Sequence, residues 1–427
     1  MIINFLLLFF IFIGSIPLFI KRQELILYGL LIVEFGFGMY VGEGIHINRS
    51  FIMLRAVSEA SLIFVFILNY LFRLSVNKNR IGIQKYTLLD ISIVILFINS
   101  IALLIGLLYS NDINYIIGDY YKYSKGIVIV FMSWFVLDKK EKIDAFLQNS
   151  VFIYGIFISV YLYKFFFVLD RFRIFHTSVQ ESITFLLITA YLVIHNAENK
   201  KLKFLNTLVL FGTLLAIFVS QTRTFLILLA VSFISIILYS RKVKKIRRIS
   251  SKFIILILLS PLLLNVTFIN DLVTLNINRI QHTLSIGVNS SDFLAGGSRM
   301  GEILDVLSQF GEDPQNILFG FGLGQYVLDG IKGIYEHYMH NVTFEVLLRT
   351  GLIGLISYII YYAKLFKISG KIFKEDKSYW WLSVVLLTQL INAQLFTQFW
   401  DSMPLYICLG IIISIYNIQY VQKSNNL

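Results

Sequence analysis

Residues 87–109 read TLLDISIVILFINSIALLIGLLY, and this stretch decides the class of fold. Its one charged side chain, Asp90, stands near the first end. A helix needs about 20 apolar residues to cross the hydrocarbon core of a bilayer, and this run is long enough. The stretch therefore predicts a transmembrane helix.

Long apolar runs of this kind recur along the chain. A transmembrane β-barrel would instead show short segments of alternating hydrophobicity. We therefore predict an all-α polytopic integral membrane protein with about 12–13 transmembrane helices and one large extracytoplasmic loop that carries amphipathic helices. The candidate spans are Ile2–Ile20, Leu25–Val41, Phe51–Phe72, Thr87–Tyr109, Lys122–Leu137, Ala145–Val168, Val179–His195, Phe204–Ser220, Thr224–Tyr239, Phe253–Ile269, Asn341–Phe366, Tyr379–Phe396 and Met403–Tyr420.

The composition excludes two other classes of protein. Hydrophobic residues make up 57% of the 427 residues, and only 15% are charged, against roughly 25% in ordinary soluble proteins. So apolar a chain, with a mean hydropathy of +0.76, is neither a soluble globular protein nor an intrinsically disordered one. Its single cysteine, Cys408, cannot form an intramolecular disulfide, so cysteine usage does not indicate a redox compartment.

The distribution of lysine and arginine predicts the orientation in the membrane. Because cytoplasmic loops are enriched in basic residues, the connectors that hold most of the 37 lysines and arginines are predicted to lie in the cytoplasm. The net charge of +12 then reflects topology, and no nucleic acid is predicted as a partner. These basic residues fall on alternate connectors: Lys21, Arg22, Arg73, Lys78, Arg80, Lys85, Lys139, Lys140, Lys142, Lys200, Lys201, Lys203, the run from Arg241 to Lys252, Lys364, Lys367, Lys371, Lys374, Lys377 and Lys423.

Three segments follow from this reading. Residues 1–269 form a transmembrane bundle of about ten helices, 270–340 a large extracytoplasmic loop, and 341–427 the C-terminal transmembrane helices. Within the loop, Ser298 can cap an amphipathic helix that rests on the membrane surface or on the bundle. The residues expected on its apolar face are Met300, Ile303, Leu304, Leu307 and Phe310.

A glycine-dense turn, Gly320-Phe-Gly-Leu-Gly324, follows that helix. A dinucleotide-binding turn would lie in a βαβ unit, and a P-loop would continue with Gly-Lys-Ser or Gly-Lys-Thr. Neither context is present, so the sequence excludes both kinds of nucleotide site.

The basic residues predicted on the outer side form a separate group. Acidic residues near them are few, namely Asp119, Asp170 and Glu181, so an excess of positive charge is expected there. Single cations of this kind often extend to lipid phosphates. Taken together they favour a site for an anionic substrate, most simply a lipid-linked diphosphate, since arginine donates two hydrogen bonds to phosphate. The group is Lys122, Lys125, Lys164, Arg171, Arg173, Arg223 and Arg299.

His340 stands where the long loop meets the next span. One interpretation is that it caps the helix start; another is that it acts as a general base beside the cations. Its spacing from His337 could hold a metal, but Glu336 alone adds a plausible ligand, so no metal site is predicted. If His340 is not the base, His337 or Glu336 is the next candidate.

Charges inside the predicted spans are expected to pair with each other. Glu34, Arg55 and Glu59 are candidates for pairing across the early helices. Glu345 and Arg349 stand four apart on one helix, which predicts an intrahelical ion pair. A second interpretation is that Glu345 orients His340.

The order of these elements resembles the bacterial O-antigen ligase/polymerase superfamily, and most closely the Wzy-type polymerases of O-antigen and capsule. The specific part of the likeness runs from residue 220 to residue 354. Family members often have Arg-x-x-Gly at the first element, whereas Arg173 is followed three residues later by His176, so either Arg171 or Arg173 is the equivalent residue. The matching elements are Arg171-Phe-Arg173, Ser220-Gln-Thr-Arg223, Gly296-Gly-Ser-Arg299, Phe319-Gly-Phe-Gly322-Leu-Gly324, His340-Asn341, Gly351 and Gly354.

The resemblance implies a membrane glycosyltransferase at the outer face of the bacterial cytoplasmic membrane, without metal or other cofactor. An undecaprenyl-diphosphate-linked oligosaccharide would be the donor and a sugar hydroxyl of another lipid-linked repeat unit the acceptor. Membrane lipids and a chain-length regulator are further expected partners. His340, Arg223 and Arg299 would be catalytic, with substrate bound by Arg173, Arg171, Lys122, Lys125, Gln221, Asn341, Gly322 and His337.

Two alternatives remain open at this point. An O-antigen ligase would transfer the polymer to lipid A core with the same residues. A flippase or transporter of the lipid-linked oligosaccharide would also need an outward cationic cavity, although the two halves of this chain do not repeat as in many transporters.

Overall fold

The fold was analysed on a computed structural model of the 427-residue chain. The structure describes residues 22–38, 49–76, 88–167, 181–196, 198–220, 223–240, 274, 299–329, 334–336, 339, 341–395 and 402–421. The predicted spans Ile2–Ile20 and Phe253–Ile269 lie outside these residues.

The described chain is almost entirely helical. A 3₁₀ turn at Pro314–Ile317 follows α9, another at Lys377–Tyr379 precedes α11, and a π-helical turn at Asn417–Val421 ends α12. The α-helices are α1 Glu24–Gly38, α2 Arg49–Val76, α3 Leu89–Leu108, α4 Ile113–Val136, α5 Lys140–Phe167, α6 Ser182–His195, α7 Lys200–Val219, α8 Arg223–Ser240, α9 Arg299–Glu312, α10 Val342–Glu375, α11 Trp380–Leu395 and α12 Met403–Tyr416.

Within the described residues, five helical segments are long and apolar enough to cross a membrane. Each coincides with a predicted span, and α6 and the middle of α8 are shorter apolar helices. The prediction of a helical membrane protein is confirmed at this level. The five segments are Leu54–Leu71, Leu89–Leu108, Lys140–Phe165, Val342–Glu375 and Met403–Tyr420.

Helix α4 begins nine residues earlier than predicted, at Ile113 instead of Lys122. The Asp112 side chain accepts a hydrogen bond from the backbone N–H of Asn114, which satisfies one of the free donors of the first turn. The predicted span begins at Lys122, which placed Lys122 and Lys125 at a helix end, and that placement is wrong. Both lie inside the helix, in its third and fourth turns.

Helix α10 is capped by Asn341, whose side chain accepts a hydrogen bond from the Phe344 N–H at 3.2 Å. The expectation that His340 caps this helix is therefore wrong. Ser402 performs the same role for α12 by accepting from the Leu405 N–H, and Pro404 stands in the first turn, where its missing N–H costs no hydrogen bond.

Helices α6 and α12 are buried along nearly their whole length, at residues 182–193 and 403–415. Helix α12 packs against α4 and α10, and α10 packs against α3. Apolar residues of all these helices belong to one continuous core. The described helices of segment 341–427 are thus built into the same bundle as those of segment 1–269.

The described part of the long connector forms a small packed unit. Val306 and Phe310 of α9 are buried against Phe321 and Leu348, whereas Leu304 and Leu307, which were expected on the apolar face, are about half exposed. Val306 and Phe310 are four residues apart and so lie on one face of α9, and the contacts with Phe321 and Leu348 decide that this face is the buried one.

A hairpin of two three-residue strands, absent from the all-α prediction, completes the connector. Strand β1 (Val327–Asp329) pairs antiparallel with β2 (Ile334–Glu336).

Lysines mark one end of the bundle, which we call the lysine-rich end. There the amine of Lys140 lies 5.9 Å from the ring centre of Tyr379, and His195 Nε2 lies 3.8 Å from a carboxylate oxygen of Asp144. The exposed lysines at this end are Lys139, Lys140, Lys142, Lys200, Lys201, Lys364, Lys367, Lys371, Lys374 and Lys377.

Candidate functional site

The opposite end of the bundle holds two groups of buried charges. We call them the Arg349 cluster and the Glu59 cluster. The Arg349 cluster consists of Asp119, Lys122, Tyr123, Glu345 and Arg349, and the Glu59 cluster of Glu34, Arg55, Glu59, Tyr121 and Lys125.

The Arg349 cluster joins α4 to α10. The guanidinium of Arg349 has no exposed surface. Its Nη1 lies 2.8 Å from Asp119 Oδ1 and 2.7 Å from Glu345 Oε1, and it donates to the Tyr123 hydroxyl at 3.0 Å. Lys122 Nζ lies 3.1 Å from Glu345 Oε1. Glu345 therefore bridges two cations, one from each helix.

The Glu59 cluster joins α1 and α2 to a different face of α4, the one that carries Tyr121 and Lys125. Arg55 donates to Glu34 at 2.6 Å and to Glu59 at 2.7 Å. The second oxygen of Glu59 accepts from Lys125 at 3.3 Å and from Tyr121 at 2.9 Å. The predicted pairing of Glu34, Arg55 and Glu59 is confirmed, and Lys125 extends it to a third helix.

Burial explains why these charges come in pairs. An isolated ion is costly in an apolar interior, so charged groups there are paired and hydrogen-bonded. Each cluster holds two cations and two carboxylates. The expected excess of positive charge is therefore not found among the described side chains at this end, where Lys122 and Lys125 each contact a carboxylate.

Helix α10 is broken at Gly351, which has the non-helical backbone angles φ 66° and ψ −169°. The glycine-dense turn and the residues just before it supply partners for the backbone groups at the break. The Phe321 N–H donates to the Leu348 carbonyl at 2.8 Å, and the Ile353 N–H donates to the Leu318 carbonyl at 3.2 Å. Non-helical backbone at membrane depth requires such internal partners.

The turn also packs against α3 and α4. The Leu323 N–H donates to the Ala102 carbonyl, and the Gly324 N–H donates to Asp119 Oδ2 at 2.9 Å. Gly322 has a φ of 85°, and a side chain there would overlap the backbone of Gly106. Packing thus accounts for glycine at 322, and its role in substrate binding stays a prediction.

A partly exposed polar and aromatic patch lies beside the turn. The rings of Tyr115 and Tyr326 meet edge to face at 5.4 Å, and Gln325 donates to Gln309 Oε1 at 3.2 Å. Partial burial, together with the nearby Tyr115 and Asp112, raises the pKa of the Tyr326 phenol. The phenol is therefore a neutral hydroxyl near pH 7.

The structure describes the side chains of some predicted site residues and not those of others. Lys122 and Lys125 are buried and paired, and Asn341 is the N-cap of α10. Arg223 and Arg299 are the first residues of α8 and α9, and their side chains lie outside the described part. Also outside the described residues are Arg171, Arg173, Gln221, His337 and His340.

The sequence interpretation missed the contacts that join α4 to α10. The intrahelical pair of Glu345 with Arg349 was predicted and is confirmed. The pairs of Arg349 with Asp119 and of Lys122 with Glu345 were not. The number of charged residues inside apolar spans could have indicated these contacts, because charges in such spans are expected to form ion pairs with one another.

No group of three or more histidine, cysteine, aspartate or glutamate side chains among the described residues is arranged to hold a metal ion. Compared with protein-family models and with curated proteins, the sequence gives no match.

Proposed function

We propose that this protein is a polysaccharide polymerase of the bacterial cytoplasmic membrane. It transfers an undecaprenyl-diphosphate-linked glycan onto a sugar hydroxyl of another lipid-linked repeat unit at the outer face. The observation that carries the proposal is the Arg349 cluster, which fixes the start of α10, with its N-cap Asn341, against Asp119 and the buried Lys122 of α4.

The proposed reaction needs one base and one anion site. The acceptor hydroxyl oxygen attacks the anomeric carbon of the donor glycan and transfers its proton to His340. The bond from that carbon to the diphosphate oxygen breaks, and undecaprenyl diphosphate leaves. Arg223, Arg299 and either Arg171 or Arg173 stabilise the charge that develops on the diphosphate.

Two features of the described residues support this proposal. Charged residues within membrane-spanning helices are rare and usually mark functional sites, and here they gather at one end of the bundle. The patch around Tyr115 and Tyr326 offers aromatic rings, amides and a hydroxyl to a glycan at that same end.

The test uses the purified full-length protein in nanodiscs with a synthetic polyprenyl-diphosphate-linked repeat unit. Wild-type protein is expected to produce a ladder of longer lipid-linked glycans. His340→Asn should lower turnover about a hundredfold to ten-thousandfold, because asparagine cannot accept the proton. His195→Asn is the matched control at the lysine-rich end and should retain wild-type turnover.

The anion site is tested in the same assay. Arg223→Ala and Arg299→Ala should each lower the rate about a hundredfold to a thousandfold, with partial recovery in the lysine variants, which keep the charge but lose the planar fork. Wild-type rates in His340→Asn would remove His340 from the mechanism, and a wild-type protein without any ladder would contradict the proposed function.

A flippase is the second candidate, and the break in α10 favours it, because transporters often place substrate at broken helices. Against it, the break is filled by backbone contacts from residues 318–321. In proteoliposomes, a flippase would move lipid-linked glycan across the bilayer without lengthening it. Transfer of polymer to added lipid A core, without lengthening, would indicate the ligase.

A further inference from the structure

The first nine residues of α10, Val342–Thr350, form a helical segment of their own. Gly351 separates this segment from the rest of α10 with a φ of 66°. A side chain at 351 would overlap the Leu318 carbonyl, so the connector runs directly against the break. The position of the segment is therefore not fixed by helix continuity, and other contacts must fix it.

Those contacts form a closed ring. The Leu348 carbonyl accepts from the Phe321 N–H at 2.8 Å. Three residues further along the turn, the Gly324 N–H donates to Asp119 Oδ2 at 2.9 Å. The other oxygen, Asp119 Oδ1, lies 2.8 Å from Nη1 of Arg349, which directly follows Leu348. The ring passes from the segment to the turn, then to α4, and back to the segment.

In Asp119, each carboxylate oxygen contacts a different part of the ring: Oδ2 the turn and Oδ1 Arg349. The carboxylate is buried, as is the guanidinium of Arg349. Without Asp119, Glu345 alone faces both Arg349 and Lys122, and without Arg349 the buried carboxylate of Asp119 loses that cation, so either loss should loosen the whole ring.

We propose that Asp119 and Arg349 are positioning residues that fix the segment Val342–Thr350, and with it the N-cap Asn341, relative to α4. The catalytic part of this inference rests on the proposed function, since His340 directly precedes the segment. Neither residue needs to touch substrate. Both act through the backbone of α10 and of the glycine-dense turn.

Hydrogen–deuterium exchange of the full-length protein in nanodiscs tests the ring without any substrate. In Asp119→Ala, amides of residues 320–324 and of 346–350 should exchange about tenfold faster or more, and both segments should change together. Asp119→Asn keeps an oxygen that accepts from the Gly324 N–H and removes the charge. It should loosen 346–350 more than 320–324, and it remains informative if the alanine variant does not fold.

The matched control is Asp138→Ala, which removes an aspartate at the other end of α4 that pairs with Lys142 near the surface. Exchange at both segments should stay at the wild-type rate. Unchanged exchange at 346–350 in the Asp119 variants would overturn the proposal.

The polymer assay then separates positioning from simple stability. Asp119→Asn and Arg349→Lys, compared at equal folded concentration, should lower kcat about a hundredfold while the KM for the lipid-linked donor changes little. A wild-type kcat in both variants would overturn the positioning role. If wild-type protein lengthens no glycan, the proposed function fails, and the exchange experiment still decides whether the ring exists.

Discussion

The two ends of the bundle hold lysines in opposite settings. At one end, Lys122 is buried and lies 3.1 Å from Glu345. At the other end, Lys140 is the first residue of α5, and Lys371 lies in the last turns of α10; both are exposed. The same residue type is thus structural at one end of the bundle and solvated at the other.

The difference teaches which lysines carry information about function. An exposed charge costs little to place, and an exposed ion pair contributes only about 0–1 kcal/mol. A buried charge needs a partner, and removing that partner costs about 3–5 kcal/mol. Exposed lysines therefore indicate the side of the membrane on which a connector lies. Buried lysines indicate a set of ion-pair partners that the rest of the fold must hold in place.

The largest expected effect concerns the side of the membrane on which each end lies. In a Cys408→Ser background, Asn114→Cys and Lys377→Cys place thiols at exposed positions on opposite ends of the bundle. An impermeant maleimide should label Cys at 114 in intact cells and should label Cys at 377 only after permeabilisation, because the lysine-rich end is predicted to face the cytoplasm. The opposite labelling pattern would place the proposed site on the wrong side of the membrane.

The next effect concerns how much an ion pair at each end contributes to the free energy of unfolding. Arg349→Ala should lower the free energy of unfolding by about 3–5 kcal/mol, because Asp119 is left buried without its cation. The matched variant Lys142→Ala breaks the half-exposed pair with Asp138 and should cost about 0–1 kcal/mol. Denaturant titration in detergent measures both values. Equal losses for the two variants would contradict the distinction between the ends.

The smallest effect concerns the break in α10. Gly351→Ala forces a side chain into a left-handed conformation against the Leu318 carbonyl, and should cost about 1–3 kcal/mol. Gly370, in the same helix, has open space around its α-carbon, so Gly370→Ala should be neutral or stabilising by about 0.4–1 kcal/mol. A Gly351→Ala variant as stable as Gly370→Ala would mean that α10 tolerates a continuous helix at this point.

The sequence predicted the helices well where apolar length decides them. The run from 87 to 109 became α3, because a stretch of this length and hydrophobicity has few alternatives in a bilayer. It predicted the start of α4 poorly, since Asp119, Lys122 and Lys125 lower the hydropathy of the first turns. Hydropathy alone cannot recognise a polar helical stretch whose charges are neutralised by other helices.

Local spacing also predicted one part of the candidate site. Glu345 and Arg349 stand four residues apart, and that spacing on a helix brings their side chains together. The contact of Arg349 with Asp119 spans 230 residues of sequence. No local sequence pattern predicts a contact between residues so far apart in the chain. The contacts between α4 and α10 could therefore not be predicted from the sequence.

By itself, the sequence determined the helical membrane class and the identity of the charges that must pair, because these follow from apolar length and the cost of buried charge. Only the tertiary structure decided which charges pair across helices, that α10 breaks at Gly351, and that the glycine-dense turn fills the break. The physical reason is that ion pairs and backbone hydrogen bonds act over about 3 Å. Only the packing of α3, α4 and α10 brings their partners within that reach.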